Sequence, residues 1–168
     1  AVTVESRPGK GTTFNIFLPC IGAHATKQHE EEEGVAPRGR EHILLVDDEE
    51  SLVEAVSSML ERLGYRVTTA LNASQALKIF EKYQDSLDLV ITDQTMPGLT
   101  GIELAKRMLS VRKDLPIILC TGYSEAVSPE KAKSVGISEF VMKPVAKREV
   151  AETVRRVLDR SNSQESTD

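Results

Sequence analysis

The stretch HILLVDDEESLVEAVSSMLERLG, residues 42–64, decides the fold. It opens on an apolar run with no polar alternation, HILLV, and ends that run on two acids, Asp47 and Asp48. A strand that is apolar at successive positions is one buried on both faces, as parallel sheets require. Beyond the acids, apolar residues recur at 52, 53, 56, 59, 60 and 63, the spacing of one helix face. Gly64 then stops the helix.

The same strand-then-helix unit repeats outward from this stretch. RVTTAL (66–71) reads as a second strand, and NASQALKIFEKYQ (72–84) as a helix with Asn72 and Gln75 in capping-box spacing. LDLVITD (87–93) is a third strand, followed by the helix TGIELAKRMLSVRKD (100–114), with Thr100 as cap and Glu103 three residues on. PIILCT (116–121) is a fourth strand, and a short polar helix is expected through PEKAKSVG (129–136), with Pro129 near its start. EFVMK (139–143) is the fifth strand and KREVAETVRRVLDR (147–160) the last helix. Five strands alternating with five helices predict an α/β fold, a doubly wound parallel sheet with helices on both faces.

In such sheets the chemistry sits in the crevice at the carboxyl ends of the strands. The apolar runs here end on Asp47 and Asp48, on Asp93, on Thr121 and on Lys143. Taken singly, each has a plain structural explanation. Asp47-Asp48-Glu49-Glu50 can be an acidic helix start favoured by the macrodipole. Asp93 can be a turn former, Thr121 strand filler and Lys143 a surface charge. Together, at matching strand ends, they describe a site. An aspartate can accept a phosphoryl group as a nucleophile, but a carboxylate attacks an anionic phosphate poorly unless charge is neutralised. Unit charges about 4 Å apart repel by about 4 kcal/mol at an effective dielectric near 20, so three clustered acids predict a cation. Few, hard oxygen ligands suit Mg²⁺, which keeps several waters and shares the phosphate. Lys143 supplies a second positive charge, with Pro144 setting a tight turn, and the Thr121 hydroxyl can hydrogen-bond a phosphoryl oxygen.

Composition sets outer bounds. The 168 residues suffice for one ordinary domain with extras, and 40% hydrophobic content supports a core that must be aliphatic, since aromatics are 4% and Trp is absent. A net charge of −5 with no basic arm argues against nucleic-acid binding, which needs clustered Lys and Arg. Cys20 and Cys120 stand in unrelated contexts and make neither a disulfide framework nor a zinc site. Cys120, inside an apolar strand, reads as a structural thiol. No stretch approaches the ~18 apolar residues of a spanning helix, and no charged-then-apolar N-terminal signal pattern is visible. Residues 1–19 read as a β-hairpin, AVTVES and TTFNIFLP around the turn RPGKG. Residues 20–41 read as a flexible acidic linker, in which His24 and His29 beside four Glu are solvated rather than metal-binding. Residues 160–168 read as a disordered tail. Because the chain opens inside a strand, it is expected to be a fragment of a longer protein.

LLVDDEE, VITDQTMPGLTGIEL, PIILCTGY and FVMKPV resemble the receiver domain of two-component response regulators, over about residues 41–159. The resemblance implies the flavodoxin-like strand order 2-1-3-4-5 and gives each residue a role. Asp93 is the phospho-acceptor. Asp48 binds Mg²⁺ directly, Asp47 helps through water, and the Thr95 carbonyl is a further ligand. Lys143 contacts the phosphoryl group. Thr121 is the switch hydroxyl and Phe140 the switch aromatic, which lacks a phenolic hydroxyl and works by packing. Ala146 stands where a cap for the last helix is expected, so a frayed start is anticipated there. The hairpin VESRPGKGTTFNIFLP is similar to the last strands of the ATP-binding domain of sensor histidine kinases, with Gly9, Gly11 and Thr12 in the final glycine-rich box. The rest of that nucleotide site is missing, so no ATP binding or autokinase activity is expected of this chain. Together the two resemblances imply the C-terminal end of a hybrid histidine kinase in the cytoplasm, with any membrane anchor in other segments. Its implied partner is a histidine kinase core, in cis or in trans, or a histidine phosphotransfer protein. The receiver would catalyse its own phosphotransfer and slow dephosphorylation.

Three other readings compete. A haloacid-dehalogenase-type phosphatase wants a second Asp two residues after the nucleophile on the first strand, where Glu49 follows Asp47. A flavin carrier needs a phosphate-cradling loop where DDEES would repel phosphate. A receiver that is never phosphorylated and acts only by protein–protein docking is disfavoured by the complete acid, Thr and Lys set.

Overall fold

The computed structural model describes residues 2–17, 37–122, 134–143 and 146–165. Contacts divide the chain into two compact units, residues 1–34 and 35–168. The first unit is an antiparallel hairpin, β1 (Val2–Arg7) and β2 (Gly11–Ile16). Its turn needs left-handed backbone, and Gly9 (φ 74°) and Gly11 (φ 90°) provide it. The register pairs Val2 with Ile16 and Val4 with Phe14, so all four apolar side chains share one exposed face, while Thr3, Glu5, Thr13 and Asn15 take the other. Two strands alone are marginal in water.

The second unit is a five-stranded parallel sheet of β3 (His42–Val46), β4 (Arg66–Ala70), β5 (Leu89–Asp93), β6 (Ile117–Thr121) and β7 (Glu139–Met142). Its order is β4-β3-β5-β6-β7, the expected 2-1-3-4-5. The helices are α1 (Glu50–Arg62), α2 (Ala73–Tyr83), α3 (Gly101–Val111) and α4 (Lys147–Glu165). Alternation along the strands splits the core in two. Leu44, Val46, Val90, Ile117 and Leu119 pack with residues of α2 and α3 on one face. Ile43, Leu45, Ile91, Ile118 and Val141 pack with those of α1 and α4 on the other. Every residue of β3 and β5 is buried, which explains why those runs carry no polar alternation.

The capping signals behave as their chemistry requires. Thr100 and Glu103 close a full capping box at α3. At α2, Asn72 accepts from the Gln75 amide at 2.9 Å, while the Gln75 side chain reaches one residue further back, to the Leu71 amide. α4 begins at Lys147, and the Ala146 carbonyl accepts from the Val150 amide at 3.1 Å. It runs on to Glu165, past residue 160, where the sequence suggested a disordered tail. Polar composition misled there, because Ser161 and Ser163 donate to the carbonyls of Val157 and Asp159 and so fit a last helical turn. The linker boundary also moves, because Arg38–Glu41 belong to the second unit. Of the short polar helix, Ser134 and Val135 are helical, and the remainder of 129–136 up to residue 133 lies outside the described residues, as do Pro144, His24 and His29.

Candidate functional site

Register brings the strand ends together. β3 pairs Val46 with Thr92, so the next residues, Asp47 and Asp93, emerge side by side. β5 pairs Asp93 with Cys120, which sets Thr121 one step beyond. β6 pairs Thr121 with Met142, and the Lys143 amide donates to the Thr121 carbonyl at 2.8 Å. Lys143 therefore starts its side chain two strands away from Asp93 and reaches back across the edge. Its Nζ lies 2.5 Å from Asp93 Oδ1 and 2.8 Å from Asp47 Oδ2. The other oxygen of each acid is held by backbone. Asp93 Oδ2 accepts from the Thr95 amide at 2.8 Å, and Asp47 Oδ1 from the Glu49 amide at 2.9 Å.

Both carboxylates are buried, each residue 5% exposed. Beneath them lies a cavity of about 30 Å³ whose walls include Leu45, Val53, Ile91, Ile118 and Val141. An apolar floor disfavours charge. Burial accordingly lifts Asp93 above the usual carboxylate range, and the Lys143 ammonium only partly offsets this. For Lys143 burial works against the charge, but its hydrogen bonds to Asp47 and Asp93 outweigh that and raise it above the ordinary lysine value. The Cys120 thiol is pushed up to about 12 by burial, so it stays protonated, in keeping with a structural role.

Asp48 stands exposed on the turn into α1, and Thr95 is exposed on the loop after Asp93. Thr121 is buried on β6 and its hydroxyl donates to the Gly122 carbonyl at 3.4 Å. Phe140 is half-buried on β7 and packs against the core shared by α2 and α3. The structure thus gathers Asp47, Asp93 and Lys143 into direct contact and leaves Asp48, Thr95 and Thr121 around them. Among the described residues, no three His, Cys, Asp or Glu side chains form a cation cage by themselves. The donor set still fits Mg²⁺: two or three carboxylates against one ammonium leave excess negative charge on hard oxygens, and Mg²⁺ keeps waters rather than demanding a full protein cage.

One contributor escaped the sequence reading. Gly101 opens α3 against Asp93, where a Cβ would overlap the Asp93 carbonyl oxygen and lie 2.7 Å from Leu119 Cδ1. Its amide donates to the Gln94 carbonyl at 3.0 Å. The available signal was a glycine just after a capping Thr, where helix propensity alone disfavours it.

A flavodoxin-like sheet with an acid pair and a lysine at its carboxyl edge defines a phospho-accepting receiver module. The family model of the response regulator receiver domain matches residues 43–155, and the chain belongs to that family, whose members act in two-component signalling. It is 29% identical to the sensor kinase CckA of Brucella abortus over 166 residues, covering 94% of this chain and 18% of that protein. It is 37% identical to the alkaline phosphatase synthesis transcriptional regulatory protein PhoP of Bacillus subtilis over 119 residues, 71% of this chain and 49% of that protein. The chain therefore spans half or less of these curated relatives. Among solved structures it is similar to a receiver domain protein of Clostridium thermocellum (TM-score 0.71, 27% identity, 74% of this chain and 98% of that one). It is also similar to the chemotaxis response regulator CheY4 of Vibrio cholerae (TM-score 0.64, 33% identity, 71% and 99%). Among the described residues no helix is long and apolar enough to cross a membrane.

Proposed function

We propose that Asp93 is the residue phosphorylated. The observation that supports this reading best is the Lys143 ammonium bridging Asp93 and Asp47 at 2.5 and 2.8 Å from a strand two places away. A carboxylate oxygen of Asp93 attacks the phosphorus of a phosphohistidine. The N–P bond breaks as the O–P bond forms, and the departing imidazole takes a proton from water. Lys143, already seated on Asp93, shifts its contact to the transferred phosphoryl oxygens, where positioning and electrostatics supply the catalysis. Mg²⁺, when bound, neutralises charge on the acids and orients the phosphoryl group. Asp48, Asp47, Asp93 and the Thr95 carbonyl would hold it. The Thr121 hydroxyl then turns toward the acylphosphate, and Phe140 repacks to carry the change outward.

The donor is a histidine kinase core or a histidine phosphotransfer protein in the cytoplasm. The match to the sensor kinase reaches beyond the receiver into residues 1–41, since it covers 94% of this chain. That favours the C-terminal part of a hybrid histidine kinase, with residues 1–19 as the last strands of its ATP-binding domain and 42–159 as its receiver. The test is phosphoryl labelling with a phosphohistidine donor and Mg²⁺. Asp93→Asn is expected to abolish label. Label persisting at full stoichiometry in that variant overturns the assignment.

A further inference from the structure

Asp93 is followed by Gln94, a residue whose side chain has no part in the chemistry described so far. The Gln94 amide donates to the Cys120 carbonyl at 2.8 Å and so carries the pairing of β5 with β6 one step past Asp93. Its carbonyl accepts from the Gly101 amide at 3.0 Å, and its side-chain Oε1 accepts from the Ile102 amide at 3.3 Å. Gly101 and Ile102 are the first two residues of α3 after the Thr100 cap, whose hydroxyl accepts from the Glu103 amide at 3.3 Å. A helix leaves its first amides without partners in its own backbone. Gln94 therefore caps, from outside the helix, the two donors next to the one that Thr100 takes.

The consequence lies in the peptide that these bonds hold. The Gln94–Thr95 peptide carries the Gln94 carbonyl at one end and the Thr95 amide at the other, and that amide donates to Asp93 Oδ2 at 2.8 Å. One planar unit thus joins the first turn of α3 to a carboxylate oxygen of Asp93. The other oxygen, Oδ1, is held by Lys143. The helix comes this close because residue 101 is glycine, since a Cβ there would overlap the Asp93 carbonyl oxygen. Further along the loop, Met96 is buried in the core that holds Leu44 and Val46, and Gly98 at φ 87° turns the chain back toward α3. With its carbonyl on one helix amide and its side chain on the next, Gln94 grips α3 at two points. A single bond would leave the peptide free to tilt about it.

We propose that the Gln94 side chain is a positioning residue for phosphoryl transfer: by clamping the Gln94–Thr95 peptide to α3, it keeps the Thr95 amide on Asp93 Oδ2 and fixes the rotation of the carboxylate. The proposal rests on Asp93 being the acceptor. A carboxylate turns about a broad torsion, and a nucleophile held in one orientation reacts faster than one that must find it. The Thr95 amide pins Oδ2 and Lys143 pins Oδ1, so loosening either pin misaims the attacking group. The Gln94 side chain acts only through the peptide it steadies.

The experiment uses the whole 168-residue chain and compares Gln94→Met, Gln94→Glu and Thr100→Ala with the parent. Met keeps the length of the side chain but cannot accept from the Ile102 amide, whereas Glu keeps the acceptor. Thr100→Ala removes the cap that α3 carries itself and leaves the Gln94–Thr95 peptide alone, so it controls for lost helix stability. Hydrogen exchange at the Thr95 amide is measured, together with the rate of labelling as a phosphohistidine donor is varied at fixed Mg²⁺. Gln94→Met is expected to speed Thr95 exchange about fivefold and to lower the maximal labelling rate about tenfold with the half-saturating donor concentration unchanged. Gln94→Glu should keep Thr95 exchange within about twofold of the parent, because a carboxylate accepts well at a helix N-terminus. Thr100→Ala should destabilise α3 yet leave both readouts within about twofold of the parent. Thr95 exchange in Gln94→Met no faster than in Thr100→Ala, or a maximal rate equal to the parent's, overturns the proposal while a labelled parent leaves the acceptor reading standing. A parent chain that takes no label, or label that persists in Asp93→Asn, overturns the acceptor reading and the proposal with it.

Discussion

Replacing Lys143 with Met keeps most of the aliphatic stem and removes only the ammonium. Because one Nζ touches Asp93 Oδ1 at 2.5 Å and Asp47 Oδ2 at 2.8 Å, the two oxygens are at most ~5.3 Å apart, the limit set by adding those distances. Two unit charges at that separation repel by about 3 kcal/mol at an effective dielectric near 20. Water at the open side and salt lower this, so about 1–3 kcal/mol of destabilisation is expected at neutral pH, or a melting temperature lower by about 3–10 °C. The sign follows from the lysine. Its raised value means the charged form stabilises the fold at every pH below the ordinary lysine range, and the contribution is lost as pH rises through the folded value. Two further effects discriminate this electrostatic account from simple loss of packing. The Asp93 carboxyl should titrate higher still, read by carbon NMR of the side chain, because the ammonium that lowers it is gone. Mg²⁺ should recover more melting temperature in the variant than in the parent, because it restores the missing positive charge. Phosphoryl labelling should fall by about a hundredfold or more. If the variant melts with the parent and its Asp93 titration does not move, Lys143 does not neutralise the pair and the reasoning fails.

Three more outcomes can be checked. Asp48→Ala should weaken Mg²⁺ binding about tenfold or more while leaving the melting temperature nearly unchanged, since Asp48 is exposed; an unaltered metal titration counts against Asp48 as a ligand. Gly101→Ala should cost about 1–3 kcal/mol in denaturant unfolding, because a methyl group has no room beside the Asp93 carbonyl; an unchanged midpoint would show that the α3 entrance yields freely. His42 is 3% exposed, donates from Nδ1 to the Ser86 carbonyl at 3.2 Å and accepts at Nε2 from Thr68 at 2.8 Å. Burial first, then Arg66, holds its value below the usual histidine range. The neutral form is the stabilising one, so its contribution is complete above about pH 6.5 and declines as pH falls through the lower folded value. Proton NMR should find a midpoint below 6.5; one at or above it would sink the argument.

Much of the site was legible because catalytic chemistry in parallel sheets collects at strand ends. Four apolar runs each ending in a polar residue were enough to nominate Asp47, Asp48, Asp93, Thr121 and Lys143. Which of the two neighbouring acids would be buried was not. A dipeptide of two aspartates gives no sign of which will be buried, and the turn into α1 buries Asp47 against Lys143 while leaving Asp48 in water. Gly101 was also missed: a glycine after a capping Thr hints at crowding, but the constraint itself comes from Asp93, eight residues earlier in the chain. The end of α4 was misjudged because polar composition does not distinguish a helical last turn from coil when serines can bond back to helix carbonyls.

The sequence by itself determined the alternation of strands and helices, and the caps of α2 and α3. These are local: periodicity and capping act within a turn or two of chain. Tertiary structure alone decided that one ammonium would serve two carboxylates. Such pairings join residues as much as 96 positions apart, and their energy depends on register, distance and burial, which exist only once the sheet has formed.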